Sequence, residues 1–72
     1  MPPDRGRVPP SQRVEAALRA RVAVGEWKSG ERLPSVAELA AQYEVARSTV
    51  ISALRRMDDL VEIVPNWGTF RK

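Results

Sequence analysis

The sequence predicts an α+β chain, mainly α, in which three short helices precede a C-terminal β-hairpin. Three observations carry that prediction. The run from Leu33 to Met57, LPSVAELAAQYEVARSTVISALRRM, holds two stretches with apolar residues at helical spacing, separated by a short break. A third stripe of the same period, Val14, Leu18 and Val22 with Ala17, lies upstream. After Asp58-Asp59 the period changes to the β-rich Leu60-Val61-Glu62-Ile63-Val64.

Residues 1–10 hold four of the six prolines together with Arg5, Gly6 and Arg7. Almost nothing in them can enter a core, so they predict a disordered N-terminal arm ahead of one domain over residues 11–72. A sharper reading makes the arm a basic segment that touches phosphate groups of a polyanionic partner. Ser11 follows Pro9-Pro10 and is placed to cap a first helix running to about Val24, which Gly25 would end. The following loop turns at Ser29-Gly30, and its Trp27 reads as a plug for the core. Leu33-Pro34 is too short for more than one bridge of strand.

Ser35-Val36-Ala37-Glu38 is a capping box placed directly before apolar spacing. The helix it opens buries Val36, Leu39, Ala40 and Tyr43, and Glu44-Val45-Ala46 forms a turn. A third helix then runs from about Arg47 to Asp58 with Val50, Ala53, Leu54 and Met57 on its apolar side. Ser48, Ser52 and Arg55 fall on the opposite side, with Thr49, Ile51 and Arg56 flanking. Pro65-Asn66-Trp67-Gly68 is turn-rich, and Asn66 and Gly68 tolerate positive φ, so Thr69-Phe70-Arg71 returns as the second strand of a hairpin. A lone hairpin is marginal, so this one should lean on the helices and pair with Leu33. Three helices and a hairpin in this order describe a three-helix winged helix-turn-helix with a C-terminal β-hairpin wing.

Composition narrows the function. Seventy-two residues make one small domain. The chain has no Cys and no His, which removes thiolate and imidazole metal ligands and the usual general base. With no paired carboxylate cleft either, no catalytic set can be assembled, so the chain does not read as an enzyme and no cofactor is expected. Twelve Lys and Arg against nine Asp and Glu give a net charge of +3, and all the bases except Lys28 and Lys72 are Arg. Arg suits forked contacts to phosphate and guanine. No apolar run reaches the length of a membrane span, and the N-terminus lacks a signal-peptide stretch, so a cytoplasmic protein is expected.

From Val14 to Phe70 the chain resembles the N-terminal DNA-binding domain of GntR-type transcriptional regulators of bacteria. The matching marks are Gly25, then Gly30-Glu31-Arg32-Leu33-Pro34-Ser35, Glu38-Leu39-Ala40 and Val45. Arg47-Ser48-Thr49-Val50, Ala53-Leu54-Arg55-Arg56 and Gly68-Thr69-Phe70 follow at the family's spacing. The resemblance implies a third helix in the major groove and a wing at the adjacent minor groove. It also implies a homodimer on a palindromic operator of double-stranded DNA, acting as a repressor by steric occlusion. In the family, dimerisation and effector binding usually sit in a separate C-terminal domain, which would begin where this chain stops. The chain is therefore expected to be an excised DNA-binding domain or a minimal regulator, cytoplasmic and associated with the nucleoid.

The chain departs from the family's pattern at several positions. Ala37 stands where Arg or a long polar residue is common, and Ala46 where Ser or Thr usually caps the recognition helix. Ile51 occupies a position where Arg is frequent, and Asn66 and Trp67 replace a Gly and a basic residue at the wing tip.

The expected DNA-binding residues are Ser35, Arg47, Ser48, Thr49, Ser52, Arg55, Arg56, Asn66, Trp67, Gly68 and Thr69. Ser35 either caps its helix alone or caps it and also meets a phosphate at the positive helix end. Arg47 opens the recognition helix and can fork onto guanine O6 and N7 for about 1–3 kcal/mol of discrimination. Ser48, Thr49 and Ser52 can bond phosphate or bases. Arg55 and Arg56 read as phosphate anchors, or else as a helix end paired with Asp58 or Asp59. Trp67 is either a solvent-facing interaction handle or a lid folded onto the core. The rival function is a winged-helix protein-interaction module with little DNA sequence specificity, supported by Ala37, Ile51 and Trp67.

Overall fold

The computed structural model describes residues 8–72. Most of the expected N-terminal arm therefore lies outside the described residues. Three helices, α1 (Pro10–Ala23), α2 (Val36–Tyr43) and α3 (Arg47–Arg56), are followed by strands β1 (Val61–Val64) and β2 (Gly68–Arg71).

Helix α1 starts one residue before the expected cap. Pro9 occupies the N-cap position without a side-chain bond, and Pro10 takes the first helical position, where a missing N–H costs nothing. The Pro9 carbonyl accepts from the amides of Gln12 at 3.0 Å and Arg13 at 3.1 Å. At the far end Gly25, with φ of 83°, donates to the Val22 carbonyl, and Glu26 donates to Arg21. These two bonds close a Schellman motif, so Gly25 ends the helix as expected.

Helix α2 opens on the expected capping box. The Ser35 hydroxyl accepts from the Glu38 amide at 3.0 Å, and the Glu38 carboxylate accepts from the Ser35 amide at 3.4 Å. Removing such a cap costs about 1 kcal/mol. The helix ends on a second Schellman pattern, with Glu44 donating to Ala41 and Val45 to Ala40. Here the left-handed residue is Glu44, at φ 55° and ψ 48°.

Helix α3 stops at Arg56, two residues short of the expected end. The Met57 carbonyl accepts from both Leu60 (2.8 Å) and Val61 (2.9 Å), which turns the chain directly into β1. Leu60 accordingly belongs to the turn rather than the strand. Helix α1 packs chiefly against α3, and α2 packs across the same helix. The expected α3 stripe is all inside: Val50, Ala53, Leu54 and Met57 are at most 1% exposed. They meet Val14, Leu18 and Val22 of α1 and Leu39 and Ala40 of α2, with Val36 and Tyr43 packed at the edge. Each large apolar side chain buried this way contributes about 1.5–3 kcal/mol. Trp27 is buried too, under the guanidinium of Arg21, whose carbon lies 4.5 Å from the ring centroid.

The strands β1 and β2 pair antiparallel with Val64 opposite Gly68 and Val61 opposite Arg71. Trp67 donates back to the Val64 carbonyl at 3.1 Å, and Asn66 takes φ of 68° behind Pro65. That is the pattern of a type II turn, with Pro at its second position and a positive φ at its third. The hairpin is not alone. Leu33 donates to Thr69 at 2.8 Å, Arg71 to Glu31 at 2.8 Å and Gly30 to Arg71 at 2.6 Å. The bridge forms at Arg32, opposite Phe70, rather than at Leu33.

Candidate nucleic-acid interface

Helix α3 presents its N-terminus without a side-chain cap. Ala46 has the extended backbone of an N-cap, φ −69° and ψ 154°, but no group to accept from the first turn. Thr49 and Val50 donate to the Ala46 carbonyl at 3.0 and 3.3 Å. The amides of Arg47 and Ser48 bond to no acceptor among the described residues. No acidic residue stands in the first turn. The helix dipole and the free amides therefore add to the charge of Arg47, and the end attracts an anion.

The buried stripe orients the rest of α3. Arg47, Ser48, Ile51, Ser52, Arg55 and Arg56 are exposed, and Thr49 is half-buried. The guanidinium groups of Arg47 and Arg55 take part in no hydrogen bond or ion pair among the described residues. Arg56 differs. Its Nη1 lies 3.9 Å from Glu15 Oε1 of α1, and its carbonyl accepts from Arg19 at 3.0 Å. It thus stands at a helix-end ion pair, although its partner is Glu15 rather than an aspartate.

Ser35 is engaged as a cap through its hydroxyl, and its amide already donates to Glu38, so only the amides beyond it remain for a phosphate. At the wing, Asn66 is exposed and Trp67 is 70% exposed, which makes Trp67 a solvent-facing group and not a lid. Gly68 is half-buried at the start of β2. Thr69 must be corrected: it is 5% exposed, so its side chain faces inward and is unavailable to a ligand. Its backbone carbonyl is used as well, by Leu33. The structure thus gathers Arg47, Ser48, Ser52 and Arg55 on one exposed helix face, sets Asn66 and Trp67 apart at the wing tip, and withdraws Thr69.

The remaining charges brace the scaffold. Arg19 bonds Glu15 and Asp59, which holds its guanidinium charged and holds the Asp59 carboxyl below its ordinary value. Arg21 does the same to Glu26 while donating to the Tyr43 hydroxyl at 3.0 Å. One cation stands in the sequence only as part of a family mark and not among the expected DNA-binding residues. Arg32, exposed, reaches along β2 until its Nε lies 2.8 Å from where a β-carbon on Gly68 would sit. No periodicity signals this contact, since it depends on pairing between segments distant in sequence.

A capped helix, a tight turn, a bare-ended helix with a polar face and a flanking hairpin together define a winged helix-turn-helix domain. Residues 10–70 match the model of the bacterial regulatory proteins, gntR family. The chain is 34% identical over 65 residues to the uncharacterized HTH-type transcriptional regulator YdfD of Bacillus subtilis (strain 168), covering 88% of this chain. It is 36% identical over 61 residues to the histidine utilization repressor of Klebsiella aerogenes, covering 82% of this chain. It spans only 14% of the length of the first and 25% of the second. Among solved structures, the AraR DNA-binding domain in complex with operator ORX1 superposes with a TM-score of 0.90 at 23% identity, over 100% of this chain and 89% of that one. GntR of Streptococcus agalactiae does so at 0.75 and 26%, over 86% of this chain and 31% of that one. The chain belongs to the GntR family of bacterial regulatory proteins. Among the described residues, no helix is long and apolar enough to cross a membrane.

Proposed function

We propose that this domain binds double-stranded DNA sequence-specifically, with α3 in the major groove and the Asn66-Trp67 turn at the neighbouring minor groove. The observation that carries the reading is Arg47, a cation without a partner among the described residues, at an uncapped helix end with no acidic residue in its first turn. Docked recognition helices aim their first residues at base edges. Arg47 forks onto a guanine, Ser48 and Ser52 bond phosphate or base, and Arg55 anchors the backbone. Support comes from two similar proteins, a domain solved on operator DNA and a protein named as a repressor. The operator is palindromic, the working unit is a homodimer held by a region outside this chain, and repression follows from occlusion of the promoter in the bacterial cytoplasm.

A protein-interaction role is the second reading, favoured by Trp67 at 70% and Ile51 at 36% exposure. Anisotropy titration of a duplex selected from a random pool separates the two. Arg47→Ala should weaken that duplex by about 1–3 kcal/mol while random DNA changes less. Equal affinity of wild type and variant for the selected duplex would sink the recognition-helix assignment.

A further inference from the structure

The wing tip, Pro65-Asn66-Trp67-Gly68, carries no charged side chain. A wing meets DNA across a phosphate backbone, and neutral groups release no counterions there. The fold supplies a cation from elsewhere. Arg32 pairs with Phe70 across the bridge, which puts its side chain on the face of β2 shared by Phe70 and Gly68. From that position the guanidinium extends two residues along β2 toward the tip and lies over Gly68, within 2.8–3.4 Å of the point a β-carbon would occupy. A β-carbon there would displace it.

Three further observations suit Arg32 to a ligand. The segment that carries it is fixed, because the Gly30 and Leu33 amides donate to β2 and the Glu31 carbonyl accepts from Arg71. Its guanidinium has no hydrogen bond or ion pair among the described residues, whereas Arg19, Arg21 and Arg56 all have acidic partners. Arg32 also remains exposed while packed. Packing against Gly68 removes part of the rotamer freedom that a long side chain would otherwise lose on binding.

We infer that Arg32 is a DNA-contacting residue of the wing, its guanidinium bonding a backbone phosphate beside the minor groove. The inference rests on the DNA-binding reading above. It makes the wing a composite in which β1 and β2 supply the shape and the loop before α2 supplies the charge.

Arg32→Gln tests it, because glutamine keeps the side chain polar out to about the position of Nε while losing the guanidinium and its charge. Affinity is measured for the selected duplex and for random DNA across a series of salt concentrations. The slope of log affinity against log salt should fall by about 0.9, the amount for one phosphate contact. Selected and random duplexes should weaken by the same factor, and Arg32→Lys should keep the slope. In the wild-type chain, the Arg32 Nε–H resonance should shift on titration with duplex, a readout that needs no variant. An unchanged slope in Arg32→Gln, or an unmoved resonance, overturns the assignment. If Arg47→Ala weakens the selected duplex while Arg32→Gln does not, only the Arg32 contact falls. If the wild-type chain binds no duplex, the DNA-binding reading falls with it.

Discussion

Arg19 grips Asp59 in a fork: Nη1 donates to Oδ2 at 3.0 Å and Nη2 to Oδ1 at 3.1 Å. The same guanidinium bonds Glu15 one turn back, so a single side chain ties α1 to the turn between α3 and β1. The pair is exposed and screened, but it leaves a signature in pH. The Asp59 carboxyl is held below its ordinary value of 3.8, chiefly by the bond from Arg19. A depressed folded value stabilises the protein above the unfolded value, and that stability is lost as pH falls through the folded one. Asp59→Asn should therefore lower the melting temperature near neutrality and make the acid limb shallower, with the two proteins converging once the carboxyl is protonated. Melts from about pH 7 to 2 that run parallel would refute the coupling.

Helix α3 lacks the cap that its backbone is shaped to receive. Ala46 already has extended dihedrals and an exposed side chain, so a serine there needs no rearrangement. Ala46→Ser should raise stability by about 0.5–1 kcal/mol, read as a higher urea midpoint at constant m-value.

Glu44 holds a left-handed conformation at the end of α2 with an exposed side chain. An L-residue pays roughly 1–2 kcal/mol there, and glycine pays roughly 0.5–1 kcal/mol in chain entropy instead. Glu44→Gly should be stabilising by up to about 1 kcal/mol on the same denaturation assay, and a destabilised variant would contradict the account.

The two tryptophans should behave oppositely. Trp27 is 8% exposed under Arg21, and Trp27→Ala should cost about 3–5 kcal/mol, enough to unfold much of a domain this small. Trp67→Ala should change the unfolding free energy by less than about 0.5 kcal/mol. In Trp27→Phe, the remaining fluorescence of Trp67 should be fully open to a neutral quencher.

Local signals were legible where the physics is local. The Ser35–Glu38 box, Gly25 and the four-residue apolar face of α3 each follow from residues within two turns of one another. Asn66 and Gly68 did the same for the hairpin. What the chain hides depends on partners far away. Thr69 was expected outside, but its strand register turns it inward, and a slip of one residue would reverse that. The partner of Arg56 and the path of Arg32 are likewise set by how α1 meets α3 and how the loop meets β2. The α3 face proposed to read DNA was visible because burial of one side of a helix defines the other.

Residue 71 is held from one side by Glu31, and residue 72 from the other by Leu60. The chain's last residues are therefore loaded in shear between two neighbours when Lys72 is pulled. One of those neighbours leads within four residues to Ser35 at the root of α2. Residues 71 and 72 thus join the segment that leads into α2 to the turn that leaves α3, so one end of β2 is tied to both members of the helix pair.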